Sequence, residues 1–171
     1  MPTPTIRSAY DMWPQYASRL RDVIAGLSPK DLVVRPSPER SPIWATAAHV
    51  ANVRVYWLCD VLGEPGAEQT PFGGQDGCGW EDDLNHPRDA SELTLALDKT
   101  WRIVDRCLDT WTIEMLSDIV ERPRGDDVQL HTRGSIVQRL MTHEAYHCGE
   151  LSQTLGIVRL PQIDLWGPGS S

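Results

Sequence analysis

His143 and His147 lie four residues apart in the segment HEAYH. On a helix that separation brings both imidazoles to one face, about 6 Å apart, close enough to share one divalent ion. Two imidazoles from a single helix bind a metal only modestly, so a third ligand has to come from elsewhere in the chain. His49 is the candidate, because it sits mid-helix in ATAAHVANV, where an unpaired imidazole would be costly to bury. The small Ala45, Ala47 and Ala48 beside it permit close approach of another helix. Read alone, His49 fits a core histidine bonded to a carbonyl; read with the pair, it fits a ligand. Three neutral imidazoles would leave a fourth position open to water or substrate, the pattern of catalytic rather than structural sites. His86, followed by Pro87, and His131, near turn residues, read as surface histidines.

At 100° per residue, Glu150 and Thr154 share the helical face of His143 and His147, while Glu144 is turned further away. Glu150 is therefore a candidate to orient a ligand ring or a bound water, with a capping or surface ion-pair role as the equal alternative. The same wheel puts Asn52, Val53, Tyr56 and Asp60 on the face of His49, which makes Tyr56 and Asp60 candidates for the pocket and Tyr56 equally a core residue. Cys148 adjoins His147 but points about a quarter turn away, which argues against ligation by its sulfur.

The elements that must position these groups read as helices separated by Pro and Gly clusters. The first covers residues 6 to 26, with Leu20, Val23, Ile24 and Leu27 as an apolar stripe, a kink or late start at Pro14, and Gly26, Ser28 and Pro29 closing it. The second is expected to begin near Ser41 as cap, with Pro42 in its first turn, and to end at Gly63. Residues 64 to 88, with five Gly, three Pro, Asp76, Glu81, Asp82 and Asp83, read as a long acidic loop on a solvated surface. A third helix is predicted from Ser91 to about Thr112, with Glu114 to Leu116 as an extension, and a fourth from Ser135 to Leu155 with Gly156 as its stop. Between them VQLH reads as a short extended piece with nothing to pair it into a sheet. Four amphipathic helices of about twenty residues predict an all-α four-helix bundle.

The whole-chain quantities agree with one such domain over 1–171, its core about 6–160, since 171 residues lie within the roughly 100 to 200 expected of one domain. Sixteen Lys and Arg against 24 Asp and Glu, with no segregated basic stretch, argue against nucleic acid as a partner. No apolar run approaches the roughly 18 residues of a membrane span, and the first twenty residues lack a signal-peptide pattern, so the expectation is a cytoplasmic protein. Cys59, Cys78, Cys107 and Cys148 form no C-x-x-C pair and are expected to be reduced. Seven of the twelve aromatic residues are Trp, expected mainly in core packing, with the lining of a core edge or a pocket as the alternative.

The runs IWATAAHV and RGSIVQRLMTHEAYHCGELSQTLG resemble the DinB-like (YfiT-like) metal-binding four-helix bundles, a likeness that extends over residues 6 to 160. The resemblance implies an up-down-down-up bundle, a divalent ion, most often zinc or nickel, on His49, His143 and His147, and frequently a homodimer. Characterised members are thiol-dependent S-transferases and a mycothiol-dependent isomerase, so it also implies metal activation of a low-molecular-weight thiol for transfer to a small electrophile. The family often has Gln where this chain has Glu150.

Two other readings stand beside that one. HEAYH satisfies the H-E-x-x-H pattern of zinc peptidases, with Glu144 as general base. Its downstream ligand would have to be Asp164, since no histidine follows His147. A protein that binds metal or ligand without turnover is the other.

Overall fold

The computed structural model describes residues 3–74 and 78–167; Asp76 of the acidic loop and residues 168–171 of the tail lie outside the described residues. Among the described residues there are five α-helices and one two-stranded antiparallel sheet. The helices are α1 (Trp13–Ala25), α2 (Pro29–Leu32), α3 (Ile43–Val55), α4 (Ala90–Thr110) and α5 (Arg133–Ile157), and the strands are β1 (Ile119–Arg124) and β2 (Asp127–Thr132).

Local chemistry explains most boundaries. Pro14 delays α1 until Trp13, after a 3-10 turn at Ile6–Ala9, because its ring is tolerated only in a helix's first turn. Ser28 and Pro29 do not merely end a helix: Ser28 and Asp31 form a capping box that starts α2. Capping boxes also open α4 at Asp89 and Glu92, and α5 at Thr132 and Ser135. Ser41 does not cap α3, whose N-cap is Pro42. The continuous helix expected to Gly63 changes at Tyr56 into a π-helical turn, Tyr56–Val61, before Gly63 turns the chain at φ 73°. After α4 the backbone is extended at Trp111, so Glu114 begins a separate 3-10 turn, Glu114–Ser117. Gly156 does not stop α5; the helix continues to Ile157 and the chain leaves through Arg159 at φ 59°.

The largest departure from the all-helical expectation is the hairpin. VQLH lies in β2 and pairs with β1, Val120 opposite His131 and Arg122 opposite Gln129. Gly125, at φ 60°, starts a two-residue turn between Arg124 and Asp127, the Gly-first pattern that matches the twist of paired strands.

The core is shared by the four long helices, α3 packing on both α4 and α5 and α1 chiefly on α4. Ala45, Ala47, Ala48 and Ala51 are fully buried along α3, and Trp13, Trp44 and Trp111 are 1–2% exposed. Small side chains on α3 let its backbone approach its neighbours, and the indoles fill the space around them. All four cysteines are free thiols. No helix among the described residues is long and apolar enough to cross a membrane.

Candidate metal centre

Three rings from two helices, His49 of α3 and His143 and His147 of α5, come together. His143 Nε2 lies 3.0 Å from His49 Nε2 and 3.1 Å from His147 Nε2. The ring centres of His49 and His147 are 5.1 Å apart. One ligand atom from each of the three falls within 4.8 Å of the others, so the group can hold a metal ion.

The outer nitrogens decide what the inner ones present. His49 Nδ1 lies 3.0 Å from Glu81 Oε1, and His147 Nδ1 lies 2.7 Å from Glu150 Oε2. Carboxylates only accept, so each Nδ1 carries a proton, which leaves Nε2 of each ring as the nitrogen able to ligate a cation. Burial, reinforced by His147, His49 and two arginines, pushes the His143 pKa down to about 3, and burial also lowers that of His147. These two rings are therefore neutral at physiological pH, the form that ligates metal. Three nitrogens within 4.8 Å of one another, two of them about 3 Å from the third, can share at most a proton or two; a cation satisfies all of them. Two ligands 2.0–2.1 Å from a tetrahedral ion stand about 3.3 Å apart, close to the spacing found here. The donor set thus fits a divalent ion such as zinc or nickel.

Glu81 is the residue that sequence reasoning missed. It comes from the segment read as a solvated acidic loop, within a 3-10 turn at Trp80–Asp82, and its side chain is 14% exposed. Its Oε1 accepts from both His49 Nδ1 and Asn52 Nδ2, the latter at 3.2 Å. Trp80 anchors the turn, its ring 5.2 Å from that of Phe72 and under the Arg88 guanidinium at 4.5 Å. An aromatic residue between Gly79 and Glu81 was the available signal.

Gly79 makes room for this arrangement, since a Cβ there would collide with Glu81 Oε2 and Asn52 Nδ2. Both are ends of flexible side chains, so Gly79→Ala is expected to fold normally while displacing the carboxylate from His49. Metal affinity should then fall about 10- to 100-fold, the usual effect of losing a ligand's supporting hydrogen bond. Competition with a chromophoric chelator measures it, and unchanged affinity would mean that Glu81 does not orient His49.

The other candidates divide. Glu150 reaches His147 and forms part of the wall of a cleft of about 640 Å³ that also contains His49 and Glu81. Arg40, Thr46 and Tyr146 give this cleft polar walls, while Ala45, Leu151 and Ile157 give it apolar ones. Tyr56 does not turn into it. Although on the helical face of His49, it lies about 10 Å further along the axis, where its hydroxyl accepts a 2.6 Å hydrogen bond from Arg122 Nε of the hairpin. Asp60 lies in the π turn, where the 100° wheel no longer applies, and is exposed. His86 is exposed and paired with Asp83. His131, expected at the surface, instead packs edge-on against Trp57 at 5.0 Å because β2 carries it inward. The Cys148 thiol is buried away from the site, its pKa pushed up to about 12.

The peptidase reading fails on both of its extra residues. Glu144 is 3% exposed and bound to Arg54 Nη2 at 2.6 Å, so it cannot take a proton from a water beside the histidines. Asp164 holds a turn of the tail by accepting from the backbone N–H groups of Trp166 and Gly167.

Comparison with known proteins agrees with this fold. A crystal structure of a DinB-like protein from Bacillus cereus ATCC 10987, at 2.01 Å resolution, superposes with a TM-score of 0.70 at 15% identity, over 95% of this chain and 98% of that one. No curated protein matches the chain. The family model of the DinB superfamily matches residues 15–151. With most of its length matched, the chain belongs to the DinB superfamily.

Proposed function

We propose that this protein is a metal-dependent enzyme that transfers a low-molecular-weight thiol to a small electrophile, with His49, His143 and His147 as the metal ligands and the four long helices running up-down-down-up. The observation that carries the reading is the inward convergence of three Nε2 atoms, two of them fixed in that tautomer by Glu81 and Glu150. A zinc or nickel ion, when bound, keeps a coordinating thiol deprotonated at neutral pH and so supplies the nucleophile. The chain's own part is positional. Glu81 and Glu150 hold the imidazoles in the ligating tautomer and orientation. The cleft beside His49 and His147 has room for a thiol and an acceptor together, in line with the few hundred Å³ of ordinary small-molecule sites. Its one guanidinium, Arg40, and the Tyr146 phenol are placed to orient polar groups of the bound pair. Burial unsuits Cys107 and Cys148 to the nucleophile's role, since it raises their pKa values to about 12.

The test is a screen of cellular thiols against small electrophiles with the zinc- and nickel-loaded protein, following loss of free thiol. Turnover that stops on chelation and returns with metal is the expected result. A stoichiometrically loaded protein that accelerates no thiol–electrophile pair over background would overturn the enzymatic reading and favour a binding protein.

A further inference from the structure

The cleft of about 640 Å³ extends from the histidines toward the C-terminal end of α5. Its walls on α3 are Ala45, Thr46 and His49, and on α5 they run from Tyr146 to Ile157, whereas His143 is not among them. Residues that precede His49 thus share the cleft with residues that follow His147, so the two helices run antiparallel here and an arm of the cleft leads away from the metal centre. At about 1.5 Å per residue, the stretch of helix from His147 to Ile157 makes this arm about 15 Å long.

The floor of the arm is built from the interior. Ala45 is fully buried, Leu151 is 2% exposed and Thr154 is 4% exposed. Thr46 Oγ1 donates to Pro42 O at 3.3 Å, and Thr154 Oγ1 donates to Glu150 O at 2.9 Å. With each hydrogen committed to the backbone, both hydroxyl oxygens can only accept from a ligand. Donors come from the Gln153 amide and from Arg40, in the segment between α2 and α3. Ile157, 70% exposed, ends the arm with an uncovered apolar side chain. N–H groups for the threonines, carbonyls for Gln153 and Arg40, and an apolar group at the far end are together what an extended amide chain offers.

We propose that this arm binds the part of the thiol remote from its sulfur, and that the thiol is one extended through amide bonds rather than a single-residue thiol. The inference rests on the thiol reading of the metal centre given above. An extended chain advances about 3.3–3.6 Å per residue, so the arm takes about four residues. The test is calorimetric titration of the zinc-loaded, full-length protein with two blocked thiols, N-acetylcysteine amide and the N-acetylated tetrapeptide amide Cys-Gly-Ala-Leu. Acetylation keeps the amine from chelating the ion. The tetrapeptide is expected to bind at least about tenfold more tightly, as burial of part of an apolar side chain requires. Ile157→Asp should abolish that advantage while leaving affinity for the short thiol within about twofold, because the substitution lies some 15 Å from the metal centre. Thr154→Val, which keeps the volume and removes the accepting oxygen, should reduce the advantage as well. The Ile157 side chain is exposed, so its variant should keep its thermal midpoint and metal content. Equal affinity of the two thiols in the wild type, or an advantage that survives both substitutions, would overturn the arm and leave the thiol reading standing. Failure of either thiol to bind would remove both.

Discussion

Replacing His49 by alanine is expected to remove bound metal, from about one equivalent per chain to below about a tenth after dialysis, because the two imidazoles that remain are a weak bidentate pair on one helix. His143→Ala and His147→Ala should do the same. The His49 variant is the most informative of the three, since His49 is the only ligand contributed by α3, 94 residues from His143 in sequence. Folding should survive. The ring is partly exposed at the cleft, and α3 is anchored by its buried alanines and Trp44 rather than by the imidazole. Elemental analysis beside circular dichroism separates metal loss from unfolding. Full metal content in a folded His49→Ala protein would break the cross-helix site and every functional statement built on it.

Glu144→Ala is expected to do the opposite, leaving the metal bound and weakening the fold by about 3–5 kcal/mol, because it strands the Arg54 charge in the interior. The two side chains are only 3% and 4% exposed. The rest of Arg54's environment is a carbonyl and a hydroxyl, Leu97 O at 3.1 Å and Thr100 Oγ1 at 3.3 Å, with the Trp101 ring 5.4 Å away. None of these neutralises a guanidinium. For a domain of this size the loss corresponds to a fall of about 10 °C or more in thermal midpoint. The double variant Arg54→Met/Glu144→Leu should recover most of it, since an apolar pair of similar volume carries no desolvation cost. If Glu144→Ala instead kept its midpoint and lost metal, Glu144 would belong to the metal site and the peptidase geometry would return. The two predictions therefore divide HEAYH by physical role, its histidines turned toward His49 and its glutamate facing the core.

That division was already legible from periodicity. The i, i+4 spacing of His143 and His147 holds on any regular helix, and the same wheel separated Glu144 from them and placed Glu150 beside them. The small residues around His49 correctly marked a helix that others approach closely. Where local geometry was not a regular helix, the same reasoning lost its grip. Asp60 could not be placed once the π turn at Tyr56–Val61 changed the angle per residue. His131 was read by its neighbouring turn residues, whereas strand pairing sends alternate side chains inward and carried it against Trp57. Gly156 looked like a helix stop, yet Arg159 took the left-handed position three residues later.

The sequence by itself determined which imidazoles could share a cation and the helices that present them, because helical spacing is a local property that a single chain segment carries in full. Only the tertiary structure decided which carboxylates hold the rings. Glu150 is three residues from His147 and could be found on a wheel, but Glu81 reaches His49 from 32 residues away, beyond the Gly- and Pro-rich stretch that begins at Gly63. Such a path has no repeating geometry, so its end point is fixed by the packing of Trp80 and the space left at Gly79 rather than by any spacing that can be counted.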